Sequence, residues 1–183
     1  MSKAHYPPDE DIYPNVSFVL RQGDYTGIGN WVQNGSVDFG FVNADTVSDF
    51  PVEVLFQDEM RAVLPQGHYL AKCKAIHLWQ LAREPVILLD EGLCSVLIHA
   101  FQQEVSTPQI EYEVFDDYTI LAMVRQGLGI SALYQLVLEG YEDGIEIRPI
   151  EEHPRRSVAL AWKNWDTMSF SSRRFVEFIL KNF

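Results

Sequence analysis

Short apolar runs and helix-period stretches take turns along this chain, and that alternation constrains its fold more than any single motif. Val37-Asp38-Phe39-Gly40-Phe41-Val42, Val86 to Leu89 and Gly129 to Leu133 are apolar runs of strand length. Between them come segments whose apolar residues recur at i, i+3, i+4 and i+7. The strongest is Leu93, Val96, Leu97, Ala100 and Phe101; Tyr25, Ile28 and Val32 form a weaker one. Repeated strand–helix alternation demands an α/β architecture in which helices cover a sheet.

Local chemistry sets the boundaries. Asp24 is placed to cap a helix that Asn34-Gly35 ends. Asp116 and Asp117 start another, carrying Ile120, Leu121 and Val124, and Gly127 closes it. The run Asn15 to Leu20 is β-branched and aromatic, which predicts a strand and, with Val37 to Val42, a parallel pair joined by a helix. Val52 to Phe56 and Met60 to Leu64 read as two strands with a turn at Asp58-Glu59. Ile110 to Phe115 alternates acid and apolar residues, which predicts one wet face. Ile145 to Ile150 and Ser157 to Trp162 read as further strands, and Phe175, Phe178 and Ile179 mark a last helix.

Charge excludes one class of partner. The 183 residues carry a net −12, and residues 1–60 hold ten acids against two bases. A polyanion is repelled by such a surface, so this chain is a poor direct binder of nucleic acid. The basic doublets Arg155-Arg156 and Arg173-Arg174 read as solvated or ion-paired side chains. Two cysteines and five scattered histidines offer neither a disulfide framework nor a metal set, so no cofactor is expected. No run approaches the ~18–20 apolar residues of a membrane span, and residues 1–10 lack the apolar core of a secretion signal. The expected location is the cytoplasm. The sequence holds no Gly-x-Ser-x-Gly elbow, phosphate loop or GxGxxG, so an enzyme is not expected.

In open α/β sheets, ligands bind beyond the carboxyl ends of strands and beside helix N-termini. That rule nominates the loops Asn43–Thr46, Asp90–Ser95, Asp116–Thr119 and Ser131–Gln135.

Three passages carry a family resemblance. Tyr13-Pro14-Asn15-Val16-Ser17-Phe18, then Asn34-Gly35-Ser36-Val37-Asp38-Phe39-Gly40, resembles the "YPxV…GxxDxG" passage of LysR-type effector domains. Asp58 to Pro65 with Gly67-His68-Tyr69-Leu70-Ala71 resembles their hinge strand and "HPLA" segment, with Tyr69 replacing the proline. Leu121 to Ser131 resembles their "LVxxGLGIA" turn. The similarity covers residues 13–183.

The resemblance implies a two-lobed fold like type 2 periplasmic binding proteins. An arm would occupy residues 1–12, lobe I residues 13–65 plus 158–183, and lobe II residues 66–157. It implies a small-molecule effector of unknown identity in the cleft, self-association as a homodimer or higher oligomer, and DNA contact only through an upstream helix-turn-helix not in this chain. The chain departs from the pattern by lacking the family's usual first strand and helix. The alternative is a solute-binding protein of the same fold.

Strand-end position and family position together give Asn43, Asp45, Glu91, Gly92, Leu93, Cys94, Ser95, Phe115 and Ser131 as expected ligand contacts. Several have simpler readings beside that one. Asn43 and Asp45 are turn-formers, Glu91 to Ser95 an ordinary strand-to-helix loop, and Cys94 a thiol lining the cleft rather than a redox sensor. Asp116 reads as a cap rather than a ligand group.

Overall fold

The computed structural model describes residues 16–46, 50–92 and 95–183. The elements run α1 (Tyr25–Asn34), β1 (Gly40–Asn43), β2 (Val52–Pro65), α2 (Leu78–Leu81), β3 (Pro85–Leu89), α3 (Val96–Gln103), β4 (Gln109–Val114) and α4 (Asp117–Arg125). Then come β5 (Ser131–Tyr134), α5 (Gln135–Leu138), β6 (Ile145–Pro149), β7 (Arg155–Ala161) and α6 (Phe170–Asn182).

The fold is α/β and two-lobed, and β2 is common to both lobes. Its first half, Val52 to Glu59, pairs antiparallel with β7, and β7 pairs antiparallel with β1. Its second half pairs antiparallel with β5 over Met60–Val63 and with β6 over Arg61–Pro65. The turn expected at Asp58-Glu59 is therefore absent: the two predicted strands are one strand of 14 residues. The expectation failed because an acid in a strand usually needs water, and here Asp58 has an internal partner instead (below).

Period-two alternation builds lobe I. On β7, Leu160 packs to one face with Met168, Val176 and Ile179, under α6. Ala159 and Ala161 point to the other, with Val42, Tyr25 and Ile28, under α1. Gly40 lets α1 approach β1, since a Cβ there would lie 2.7 Å from the Ile28 side chain. The N-terminus of α1 is held by Asp24, whose Oδ1 accepts from Gly27 N at 2.6 Å. Its end is set by Gly35 at φ 74°.

Lobe II holds the larger core. β3 lies between β4, its parallel partner, and the Ile130 end of β5, and its Val86-Ile87-Leu88-Leu89 run is buried throughout. α3 and α4 cover the sheet with Leu97, Phe101, Ile120, Leu121 and Val124. Gly129 makes the β3–β5 contact possible, because a Cβ there would stand 2.6 Å from the Pro85 carbonyl.

Two further expectations are corrected. Val16 to Leu20 forms no strand and lies exposed, with Val19 and Leu20 above 80%; Asn15 is outside the described residues. The run has strand composition, but no strand among the described residues pairs with it, and β1 pairs with β7. The expected parallel strand–helix–strand unit is thus not formed there. The Phe18 ring packs near that of Phe175, with centroids 5.0 Å apart. β1 has no second neighbour among the described residues. β4, expected to have one wet face, is exposed along nearly its whole length. It is an edge strand, and Ile110 and Tyr112 stay largely open.

Candidate functional site

The candidate site grows from one arginine. β7 begins at Arg155, and the next residue, Arg156, faces inward at the junction of the lobes. Its guanidinium donates from Nη2 to Asp58 Oδ2 at 2.8 Å and from Nη1 to the Tyr25 hydroxyl at 2.7 Å. Its Cζ stands 3.7 Å from the centroid of the Tyr134 ring. Asp58 lies on β2, Tyr25 begins α1 and Tyr134 ends β5. One side chain therefore ties lobe I, the shared strand and lobe II together.

The network continues into lobe II. The Tyr134 hydroxyl donates to Glu91 Oε1 at 2.7 Å, and Glu91 Oε2 accepts from Val96 N, the first amide of α3, at 3.3 Å. An acid at a helix start is favoured by the exposed amides and the dipole. Asp58 uses its other oxygen on Leu136 N, at 3.1 Å, holding the start of α5. Asp117, in the first turn of α4, is near enough for the charges of Arg156 and Asp58 to act on it.

Burial makes these groups unusual. Asp58 and Glu91 are 5% and 6% exposed. Burial pushes the Glu91 carboxyl above its ordinary value, against the opposing pull of Tyr134, Val96 N and Arg156. Burial does the same to Asp117, against Arg156. It also raises the Tyr25 and Tyr134 phenols, so both stay protonated donors. Burial works against the Arg156 charge, but Tyr25 and the bond to Asp58 outweigh it, and its pKa is raised. Two atoms in the cluster are buried without a hydrogen-bond partner among the described residues: Arg156 Nε and Asp117 Oδ1. Such atoms are rare, and each calls for an explanation.

The sequence-derived contacts fall in different places. Glu91 is in the cluster. Gly92 adjoins it at φ 77°, with Asp24 of lobe I 3.4 Å from where its Cβ would be. Leu93 and Cys94 lie outside the described residues. The Ser95 hydroxyl caps α3, accepting from Ile98 N. The Ser131 hydroxyl is turned back into the sheet, donating to Ile87 O at 2.7 Å. Asn43 is buried and Oδ1 accepts from Asp45 N and Ser157 N, so the side chain fixes a turn, and Asp45 belongs to that turn. Phe115 is 73% exposed. Asp116 caps α4, as expected, by accepting from Thr119 N at 2.7 Å.

Arg156, Asp58, Tyr25 and Tyr134 were not among the expected contacts. Arg156 read as half of a surface doublet, Asp58 as a turn residue, and Tyr25 as part of an apolar helix face. The one signal available was Tyr134, which falls inside the nominated loop Ser131–Gln135.

A shallow depression of about 440 Å³ lies elsewhere, on the outer side of α4, between Tyr118, Met123 and Leu128. It brings together no opposed charges: Asp116, the acid on its rim, is already engaged as a cap. The cluster at the lobe junction, by contrast, brings opposed charges and hydroxyl groups together: Arg156 with Asp58, Tyr25 and Tyr134, and Tyr134 with Glu91.

Known proteins agree with this architecture. A family model described as the LysR substrate binding domain matches residues 11–183. The HTH-type transcriptional regulator YvbU of Bacillus subtilis is 29% identical over 167 residues, which are 90% of this chain and 57% of that protein. The chain thus spans less than two thirds of that relative's length. Among solved structures, the CcmR regulatory domain of Synechocystis PCC6803 in complex with 2-PG superimposes with a TM-score of 0.83, at 20% identity, over 94% of this chain and 86% of that one. The effector binding domain of QuiR in complex with shikimate gives 0.81 at 21% identity, over 93% and 83%. At such identities, the two structures speak to the fold alone.

Proposed function

Since the chain belongs to the LysR substrate-binding-domain family, we propose that it is the sensing part of a transcriptional regulator and takes a small-molecule effector between its lobes, at the Arg156 cluster. The carrying observation is the convergence there of Tyr25 from lobe I, Asp58 and Arg156 from the paired β2 and β7, and Tyr134, Glu91 and Asp117 from lobe II. A ligand seated among these groups touches both lobes at once, so its binding energy changes with their separation. That differential is what a ligand needs to shift a two-state equilibrium. In this structure the groups bond directly to one another, so entry requires the lobes to part. Neighbours of the same fold support a small ligand: one is described with 2-PG, another with shikimate.

In this reading, lobe I comprises residues 13–65 with 158–183, and lobe II residues 66–157. Glu91, Gly92 and Ser95 belong to the lobe II wall, and the expected contacts Leu93 and Cys94 lie outside the described residues. Asn43 and Asp45 shape the lobe I rim, Ser131 steadies the floor beneath Tyr134, and Phe115 stands at the outer margin. The regulator meets DNA through a helix-turn-helix carried by another segment, and works in the bacterial cytoplasm as a dimer or higher oligomer. The exposed edge strand β4 and the open apolar run Phe18–Leu20 are the surfaces that association would cover.

Native mass spectrometry of the purified chain tests the sensing role. We expect a small molecule that co-purifies with the wild type and is lost from the Arg156→Ala variant while that variant keeps its circular dichroism spectrum. A molecule retained equally by both places the site elsewhere. Light scattering tests association; a species of only 21.0 kDa at high concentration rules it out.

A further inference from the structure

From the unmatched groups of the cluster, we propose that the effector is an α-amino acid, its ammonium group held by Asp117 Oδ1 and its carboxylate by Arg156 Nε. This rests on the reading that the lobe junction is the effector site.

The first ground is hydrogen-bond complementarity. Nearly every polar atom of the cluster is already paired: Asp58 with Arg156 and Leu136 N, Glu91 with Tyr134 and Val96 N, Tyr25 with Arg156. Two buried atoms have no partner among the described residues, the acceptor Asp117 Oδ1 and the donor Arg156 Nε. One asks for a donor and the other for an acceptor. An ammonium group gives up to three donors and no acceptor; a carboxylate gives acceptors only. An α-amino acid, which carries both groups on one carbon, offers a donor to the first atom and an acceptor to the second.

The second ground is charge. Asp58, Glu91 and Asp117 face Arg156, three acids against one base. The acidic excess is what burial penalises: Glu91 and Asp117 are both driven toward their protonated forms, with Arg156 the base that opposes this in each case. An added ammonium supplies the missing positive charge beside Asp117. A ligand that is only anionic deepens the imbalance, since each close like-charge contact in a poorly solvated site disfavours binding. A ligand that is only cationic leaves Arg156 Nε unpaired.

The test varies the ligand first, so it does not depend on a variant that folds. Isothermal titration of the wild-type chain is run against the twenty amino acids one at a time. The best binder is then compared with its N-acetyl derivative and with its decarboxylated amine. We expect at least one amino acid to bind below 1 mM, on the order of −4 kcal/mol or better, and both derivatives to bind at least tenfold more weakly. In the Asp117→Asn variant, affinity for the amino acid should also drop at least tenfold. An N-acetyl derivative that binds as well as its parent overturns the proposal, as does a set of twenty blank titrations. Shikimate is the remaining arm. Its binding to the wild type, with loss in Arg156→Ala and no amino acid binding, overturns the amino-acid assignment but leaves the effector site where it is.

Discussion

Arg156 shows how far one side chain's neighbours decide what it does. It is paired with an aspartate that is almost wholly buried, so removing it strands a charge. Arg156→Ala should destabilise the fold by about 3–5 kcal/mol, the usual cost of breaking one side of a buried pair. Urea denaturation reads this as a lower midpoint at unchanged slope; a loss under about 1 kcal/mol shows Asp58 relaxing into water. Tyr134→Phe keeps the ring under the guanidinium and removes only the donor to Glu91. It should cost about 1–3 kcal/mol, the penalty for an unmet buried acceptor. Burial raises the Glu91 carboxyl above its unfolded value, so the native state holds that proton more tightly than the unfolded chain. Its stabilising contribution is complete below the ordinary carboxylate pKa and declines as pH climbs through the raised one. Glu91→Gln removes that decline, so the stability difference between variant and wild type should move in the variant's favour from pH 4 to 7. Parallel melts at stepped pH check the sign; a difference moving the opposite way means that Glu91 titrates low. Of these groups, Glu91 was among the expected contacts, and Arg156 and Asp58 were not. A doublet of arginines in an acidic chain reads as surface, and only the folded pairing of β2 with β7 brings Arg156 onto Asp58 across 98 residues.

Elements were more readable, where local chemistry alone determines them. Asp24, Asp116, Gly35 and Gly127 were identified from their residue types, and each performs its expected cap or stop. Asp116→Ala should cost about 1 kcal/mol through loss of the bond to Thr119 N, measurable as faster amide exchange in the first turn of α4. Gly129 packs against the Pro85 carbonyl. Gly129→Ala places a methyl group against backbone that has no rotamer to yield. We expect a loss of about 1–3 kcal/mol by denaturant titration; a neutral outcome requires β3 and β5 to separate without cost. Strand existence was harder to read than helix existence because a strand is a relation between two segments. Val16 to Leu20 has the composition and pairs with no strand among the described residues. Val52 to Pro65 has a charged pair in its middle and is nonetheless continuous, since Arg156 and Leu136 N supply what water would have.

For the whole molecule, the charge balance and the order of elements carried most of the information. Repeated strand–helix alternation and three degenerate passages in the right order pointed to the two-lobed fold that the structure has. What lay beyond reach was how the lobe junction is assembled: strand-end position nominated the loops that hold residues 91, 117 and 134, but no local pattern links them to residues 25, 58 and 156. The net −12 charge leads to a further expectation. At about 150 mM salt these 183 residues should not retard duplex DNA in a gel, since few phosphates can be neutralised by so acidic a surface. Tight sequence-specific retention by this chain alone contradicts that.

Because β2 is a strand of both lobes, neither can lose it and stay whole. Melting the lobe I half removes the rail on which β7 lies; melting the lobe II half frees the inner edges of β5 and β6. Heat should therefore meet a single cooperative unit rather than two independent ones. In a scanning calorimeter, the enthalpy from the area of the transition should equal that from its steepness, as for a two-state domain. Two-lobed receptors are usually pictured as a pair of jaws on a flexible pin; here the pin is woven into both jaws, and they must melt together.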